Sequence, residues 1–222
     1  MHARGATGAP LGFVDIAAVD EVLSTTRAVR RRLDLNRPVE REVILECLRL
    51  AVQAPTSSNG QNWRWMVVTD ADKRAAIAEI YRSCGEAYLA HAARTTEDPQ
   101  TRRVYESAHA LSQTLAQVPV HVIPCVEGRL DQPELVVAAS EWASIIPAAW
   151  SFMLALRARG LGSVWTTLHL MKADAVAELL DIPDTVTQAA LLPVAYTIGT
   201  DFKPAKRPPV ETITSWNSWD VH

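Results

Sequence analysis

Four arginines fall within six residues at Arg27-Ala28-Val29-Arg30-Arg31-Arg32. A guanidinium keeps its charge at any physiological pH and offers paired N–H donors that match phosphate oxygens, so such a run can clamp a phosphate. The same composition also suits a solvated basic surface, or a short nuclear-localisation or nucleic-acid segment. A second segment runs Ala54-Pro55-Thr56-Ser57-Ser58-Asn59-Gly60-Gln61-Asn62-Trp63, with three hydroxyls and the amides of Asn59 and Gln61 beside Trp63 and Trp65. It reads as an ordinary polar loop or as a neutral, hydrogen-bonding edge for a flat ligand. The third is Gly160-Leu161-Gly162-Ser163-Val164-Trp165-Thr166-Thr167-Leu168, and a second basic cluster follows at Lys203, Lys206 and Arg207 between prolines. Gly160 and Gly162 begin like a dinucleotide fingerprint, but Trp165 stands at the third glycine position and no βαβ unit surrounds it, which argues against a Rossmann site. The chain contains no GxxxxGK[ST], HExxH or GxSxG, and its six histidines are scattered, so hydrolytic and metal chemistry lack support. His169, beside the third segment, reads as a packed residue.

These segments sit in a chain of 222 residues, 48% apolar and 21% charged, with a formal charge of −3. That is globular composition with ample material for a core, and it opposes a general nucleic-acid binder. Cys47, Cys84 and Cys125 are dispersed and odd in number, which suits neither a disulfide framework nor a zinc site. The N-terminus lacks a signal-peptide core, and the nearly apolar stretch from Ile145 to Leu156 is shorter than a membrane span. The expectation is a soluble, cytoplasmic protein.

The elements that must position the segments follow from periodicity. Residues 1–12 read as a loose tail, and helices are expected over 14–25, 40–54, 72–92 and 101–117, with Asp70 capping the third. Strands are expected over 65–69, 118–126 and 163–167, a short helix over 173–180, and a β-rich run over 188–198 broken by Pro193. Asp131 and Glu134 form a capping box around Pro133, opening a helix that Gly160 closes. That helix is apolar on every face, as expected of a central core helix or one half of a large dimer interface, and Pro147 should kink it. From Thr200 to His222 the chain is rich in Pro and Trp without periodicity and needs an outside surface to order it. The class is α+β with helices in excess.

Taken in order, these segments resemble the nitroreductase family of flavin-dependent oxidoreductases, over about Val22 to Glu211. Arg27-Ala-Val-Arg-Arg31 is similar to the family's RRSxR-type opening and residues 54–63 to its APSSxNxQPW loop. Gly160-Leu161-Gly162 before a strand and Lys206-Arg207-Pro208 before an acidic residue complete the set. The resemblance implies a single FMN-binding domain over 13–222, with a central antiparallel or mixed sheet surrounded by helices. It also implies an intertwined homodimer that exchanges a C-terminal arm, residues 200–222, and holds FMN at the subunit interface. Arg27 and Arg207 would hold the FMN phosphate, with Lys206 close by and Ala28 and Val29 alongside. Arg31 would face the flavin N1/C2=O edge, or Arg30 if Val29-Arg30-Arg31 aligns on an SVRR-type motif. Pro55, Thr56, Ser57, Asn59 and Gln61 would come from the other subunit, and Trp165, Thr166, Thr167 and Leu168 would pass along the ring with a backbone N–H near N5. The chain departs from the pattern where the opening serine is replaced by Ala28 or Val29, at Asn62 in place of proline, and at Trp150-Ser151 in place of a Gln-Asn pair.

The implied activity is ping-pong hydride transfer from NADH or NADPH to a nitroaromatic or quinone-like acceptor through flavin N5. Because FMN carries the chemistry, no protein nucleophile is required. A dehalogenase or a flavin-cleaving enzyme of the same superfamily, and a non-catalytic flavin binder, stay open as alternatives. Residues 81–117 are expected over the flavin, where Tyr88, His91, Tyr105 and His109 could touch substrate or simply pack.

Overall fold

The computed structural model describes residues 14–130 and 134–219. The chain runs α1 (Ile16–Thr25), α2 (Arg41–Ala51), β1 (Trp63–Val68), α3 (Ala71–Thr95), α4 (Pro99–Thr114), β2 (Val120–Glu127), α5 (Leu135–Ala158), β3 (Leu161–Ser163), α6 (Ala173–Leu180), β4 (Val186–Gln188) and β5 (Leu192–Tyr196). The five strands form one antiparallel sheet in the order β1-β2-β5-β3, with β4 pairing β2. The α+β expectation holds. The tail expected at 1–12 and the capping pair's Asp131 lie outside the described residues.

Local chemistry explains most boundaries. Asp15, Asp70 and Asp98 each accept a hydrogen bond from the first turn of α1, α3 and α4, at 3.1, 2.9 and 2.6 Å. Gly160, at φ +75°, ends α5 as expected. The strand expected over 163–167 is shorter and earlier. Leu161, Gly162 and Ser163 pair with Tyr196, Ala195 and Val194, and the next partner in register is Pro193. Proline has no N–H to donate, so the ladder breaks there and resumes only as the single Thr166–Leu191 bridge. The β-rich run is divided at residues 189–191 rather than at Pro193, which lies inside β5 opposite His121.

The sheet separates two apolar layers. On one side α3, α4 and α6 bury Ile77, Tyr81, Leu111 and Val176, and on the other α2 and α5 bury Ile44, Cys47, Phe152 and Leu156. The α5 helix runs without interruption through Pro147. By length and composition its 24 residues could cross a membrane. Here its C-terminal half is buried against α2, β2 and β3, which accounts for the apolar residues there. It is not buried all round, because Leu135, Val136, Val137, Ile146 and Trp150 are exposed, as are Trp216 and Trp219 of the tail.

Candidate functional site

After α1 the chain becomes extended and adds to the edge of β3. Ala28 bridges Ser163 in parallel, the Val29 N–H donates to the Ser163 carbonyl at 2.9 Å, and Leu33 bridges Thr197. Val29 and Leu33 are buried, so this short edge strand holds the arginines between them in fixed positions. Arg27 Nη1 donates to the Lys203 carbonyl at 2.8 Å, which brings the opening basic run to the root of the C-terminal tail. Arg32 is already committed: Nε donates to the Ile198 carbonyl at 2.8 Å, Nη2 pairs with Asp201 at 2.7 Å, and the guanidinium lies 4.2 Å from the centre of the Phe202 ring.

Arg30 and Arg31 both border a cavity of about 200 Å³ closed by Leu33, Leu35, Leu111 and Thr114. They differ in setting. Arg30 is half-buried and donates to Ser107 Oγ of α4 at 3.3 Å. Burial lowers its pKa, while nearby Tyr81 opposes that shift. Arg31 is exposed and makes no hydrogen bond or ion pair among the described residues. Of the two arginines considered for the ring edge, the desolvated cation beside the third segment is therefore Arg30.

That third segment passes close by. The Thr166 N–H donates to the Leu191 carbonyl at 3.1 Å and Thr166 Oγ1 to the same oxygen at 2.8 Å, so both of its donors are spent. Tyr81 is buried beside Thr166, and burial raises its pKa. Thr167 is exposed, its backbone N–H unbonded among the described residues, and Trp165 and Leu168 are half-buried. A donor aimed outward from this run thus comes from beyond Thr166. His169 is fully buried with neither ring nitrogen bonded, and burial pulls its pKa down to about 4. It is a packed residue.

The polar loop lies elsewhere on the chain. The Ser57 N–H donates to Ser144 Oγ of α5 at 3.0 Å, Gln61 Nε2 to Asn59 Oδ1 at 2.9 Å, and Asn62 Nδ2 to Glu141 Oε2 at 2.5 Å. Asn62 thereby moors the loop to α5. Ser58, Asn59 and Gln61 all have positive φ, at 50°, 56° and 50°, a conformation that non-glycine residues adopt at some cost. Pro55, Thr56, Ser57, Asn59 and Gln61 make no hydrogen bond to residues 26–31 or 165–168 among the described residues. One chain therefore brings together Arg27, Ala28, Val29, Arg30 and Thr166, and leaves the loop on a separate face beside exposed α5.

Lys206 and Arg207 are exposed, and among the described residues the Arg207 side chain bonds only to the Lys206 carbonyl, at 3.3 Å. Tyr88 and Tyr105 meet edge to face across α3 and α4 with hydroxyls 3.1 Å apart. His91 is exposed and His109 half-buried. Sequence reasoning missed Arg157 and Tyr81. Arg157 had a faint signal, as a basic residue closing a helix that is otherwise almost uncharged, whereas nothing in the sequence set Tyr81 apart from other core aromatics. Among the described residues no cluster of His, Cys, Asp or Glu could hold a metal.

With this geometry the chain can be set beside known proteins. It is 26% identical over 212 residues to an NADH dehydrogenase of Thermus thermophilus, covering 88% of this chain and 97% of that one. It is 26% identical over 150 residues to the 5,6-dimethylbenzimidazole synthase of Rhodospirillum rubrum, covering 66% and 67% of the two chains. Its fold matches an iodotyrosine deiodinase crystallised with FMN and 3-iodo-L-tyrosine, with a TM-score of 0.68 at 23% identity over 90% of this chain and 98% of the other. The family model named Nitroreductase family matches residues 23–196, spanning the arginine run, the polar loop and the Gly160–Leu168 segment, and the chain belongs to that family.

Proposed function

We propose that the protein is an FMN-dependent NAD(P)H oxidoreductase, acting on nitroaromatic or quinone-like acceptors, built as a homodimer with its flavin between subunits. The observation that carries this reading is the convergence of Arg27, half-buried Arg30, Tyr81 and Thr166 along one edge of the sheet, with no carboxylate paired to either arginine among the described residues. An uncompensated, desolvated cation is costly, and a bound anion relieves that cost. The residues present fit FMN on a further count: Ser163 Oγ and Arg157 Nε are buried and unbonded beside Arg27, as a phosphate site requires. When bound, FMN supplies the hydride chemistry. The protein's part is to hold the phosphate with Arg27, Lys206 and Arg207, and to set Arg30 against the electron-rich edge of the ring. Trp165, Thr167 and Leu168 line its path, with the Thr167 N–H free to donate.

The homodimer is supported by two surfaces. The polar loop stands apart from the arginines within one chain, and Val136, Ile146 and Trp150 of α5 are exposed beside it. A second copy laid on that face would cover the apolar residues, bring Pro55, Thr56, Ser57, Asn59 and Gln61 to the partner's flavin, and give the tail with Trp216 and Trp219 a surface to lie on. Ile146→Glu places a charge at the centre of this face. It is expected to raise the dimer dissociation constant about 100-fold or more, read by sedimentation equilibrium.

The decisive experiment is the anaerobic spectrum of the purified protein before and after NADH or NADPH. Flavin absorbance that bleaches with either donor and returns with a quinone supports the proposal. A protein that stays colourless with added FMN removes it, and bound flavin that neither donor bleaches leaves a non-catalytic binder. Aerobic turnover that consumes FMN itself would favour a flavin-cleaving enzyme instead. Arg30→Gln should weaken flavin binding about tenfold or more, and Arg31→Gln much less, in a fluorescence titration with FMN. The reverse ranking would return the ring edge to Arg31.

A further inference from the structure

Resting on the FMN reading above, we infer that Arg157, in the last turn of α5, is a further ligand of the cofactor phosphate, with Ser163 supplying the hydroxyl that the arginine run lacks at Ala28 and Val29. Thr26, Arg27, Arg157, Gly162 and Ser163 border one pocket between the end of α1, the end of α5 and β3. Its free space of about 10 Å³ admits a single oxygen-sized group.

Two polar atoms at this pocket are buried without a partner, Ser163 Oγ and Arg157 Nε. Ser163 is only 4% exposed, so water does not serve it readily. An unmet buried polar group is costly, and two at the lining of one pocket are rarely retained without a ligand. An anionic oxygen entering this pocket would give them a partner. The cations there are also unneutralised. Among the described residues Arg27 bonds only to the Lys203 carbonyl, and Arg157 Nη2 bonds to Thr25 Oγ1 at 3.2 Å and the Thr200 carbonyl at 3.3 Å. Neither meets a carboxylate among the described residues, although the chain carries more acidic than basic residues, 25 against 22. The Arg157 guanidinium lies 5.1 Å from the centre of the Phe202 ring, and its Nη2 bonds hold it from the other end. With Nη2 committed, it is Nε that is left to donate to an anionic oxygen.

The same contacts could merely tie the tail root, residues 200–203, to α5. FMN and riboflavin, which share the ring and ribityl chain and differ by the phosphate, separate the two roles. Dissociation constants for both flavins are measured by fluorescence quenching on the full chain, Arg157→Gln, Ser163→Ala and Arg27→Ala. Arg157→Gln should lose FMN affinity about 10- to 100-fold and Ser163→Ala about fivefold, with riboflavin affinity changed by no more than about twofold. Ser163→Ala removes one atom from a packed position and carries the test if Arg157→Gln does not fold. Equal losses for both flavins, or an unchanged ratio, overturn the phosphate role of Arg157 and Ser163. If Arg27→Ala still lowers the ratio in that case, the FMN reading stands without them. If the unaltered chain binds neither flavin, both fall together.

Discussion

Acidification from pH 7 to pH 4 is expected to remove about 6 kcal/mol of folding stability through His121 and His169 alone. Both are fully buried, and burial depresses each folded-state pKa from 6.5 to about 4. In His121, Nε2 lies 2.9 Å from the Leu115 carbonyl and donates to it, which fixes the neutral tautomer and leaves Nδ1 unbonded. In His169 neither nitrogen is bonded. Below pH 6.5 the unfolded chain takes up protons that the folded chain refuses. The stability is therefore complete above that value and is lost as the pH falls towards about 4, at about 3 kcal/mol per histidine. Carboxylates add their own acid dependence, so the informative quantity is a difference. His169→Leu should lose about 3 kcal/mol less than the unaltered protein between pH 7 and pH 4 in urea melts. At pH 7 it should be neutral or stabilising, because it removes two unmet polar atoms. Parallel pH profiles for the two proteins would place a proton acceptor or water at His169.

The second large effect is expected at Gly162. A Cβ there would stand 2.7 Å from Thr197 Cγ2 and 2.9 Å from Val29 Cβ. The Val29 Cβ is fixed to the backbone, so the clash cannot be relieved by turning a side chain. Gly162→Ala must push the strand of residues 28–31 away from β3, straining the Val29 N–H bond to Ser163 and moving every arginine of the run. Overpacking of this kind costs about 3 kcal/mol, and flavin affinity should fall together with the melting temperature. A variant of normal stability that still loses flavin would mean the strand yields easily and serves only the site. Unchanged stability and unchanged flavin binding would show that residues 28–31 are not set by this contact.

Much of the architecture is legible in the sequence. The α6 helix spans Ala173–Leu180 as its periodicity indicates, Asp70 caps α3, and Gly160 ends α5. Each of these is decided by residues within one turn of one another. Errors arose where a distant partner decides the outcome. The strand at 163–167 stops at Ser163 because Pro193, thirty positions later, falls opposite its next residue. For a related reason the apolar faces of α5 are only partly covered within one chain. Hydrophobicity states that a face avoids water, but whether the same chain covers Ile146 and Trp150 depends on where α2 and the sheet end.

The amino-acid order by itself determined the family resemblance and the α+β class, and it set four segments apart as candidates for the site. These rest on residue types and short spacings that local geometry reads directly. Only the tertiary structure decided that Arg30 is the desolvated arginine, that Thr166 has no donor left, and that Arg157 joins Arg27 and Ser163 at one pocket. Desolvation and hydrogen-bond satisfaction belong to contacts between residues that lie up to 176 positions apart, as from Arg27 to Lys203. No pattern along the chain encodes which of several similar side chains the packed sheet will turn inward.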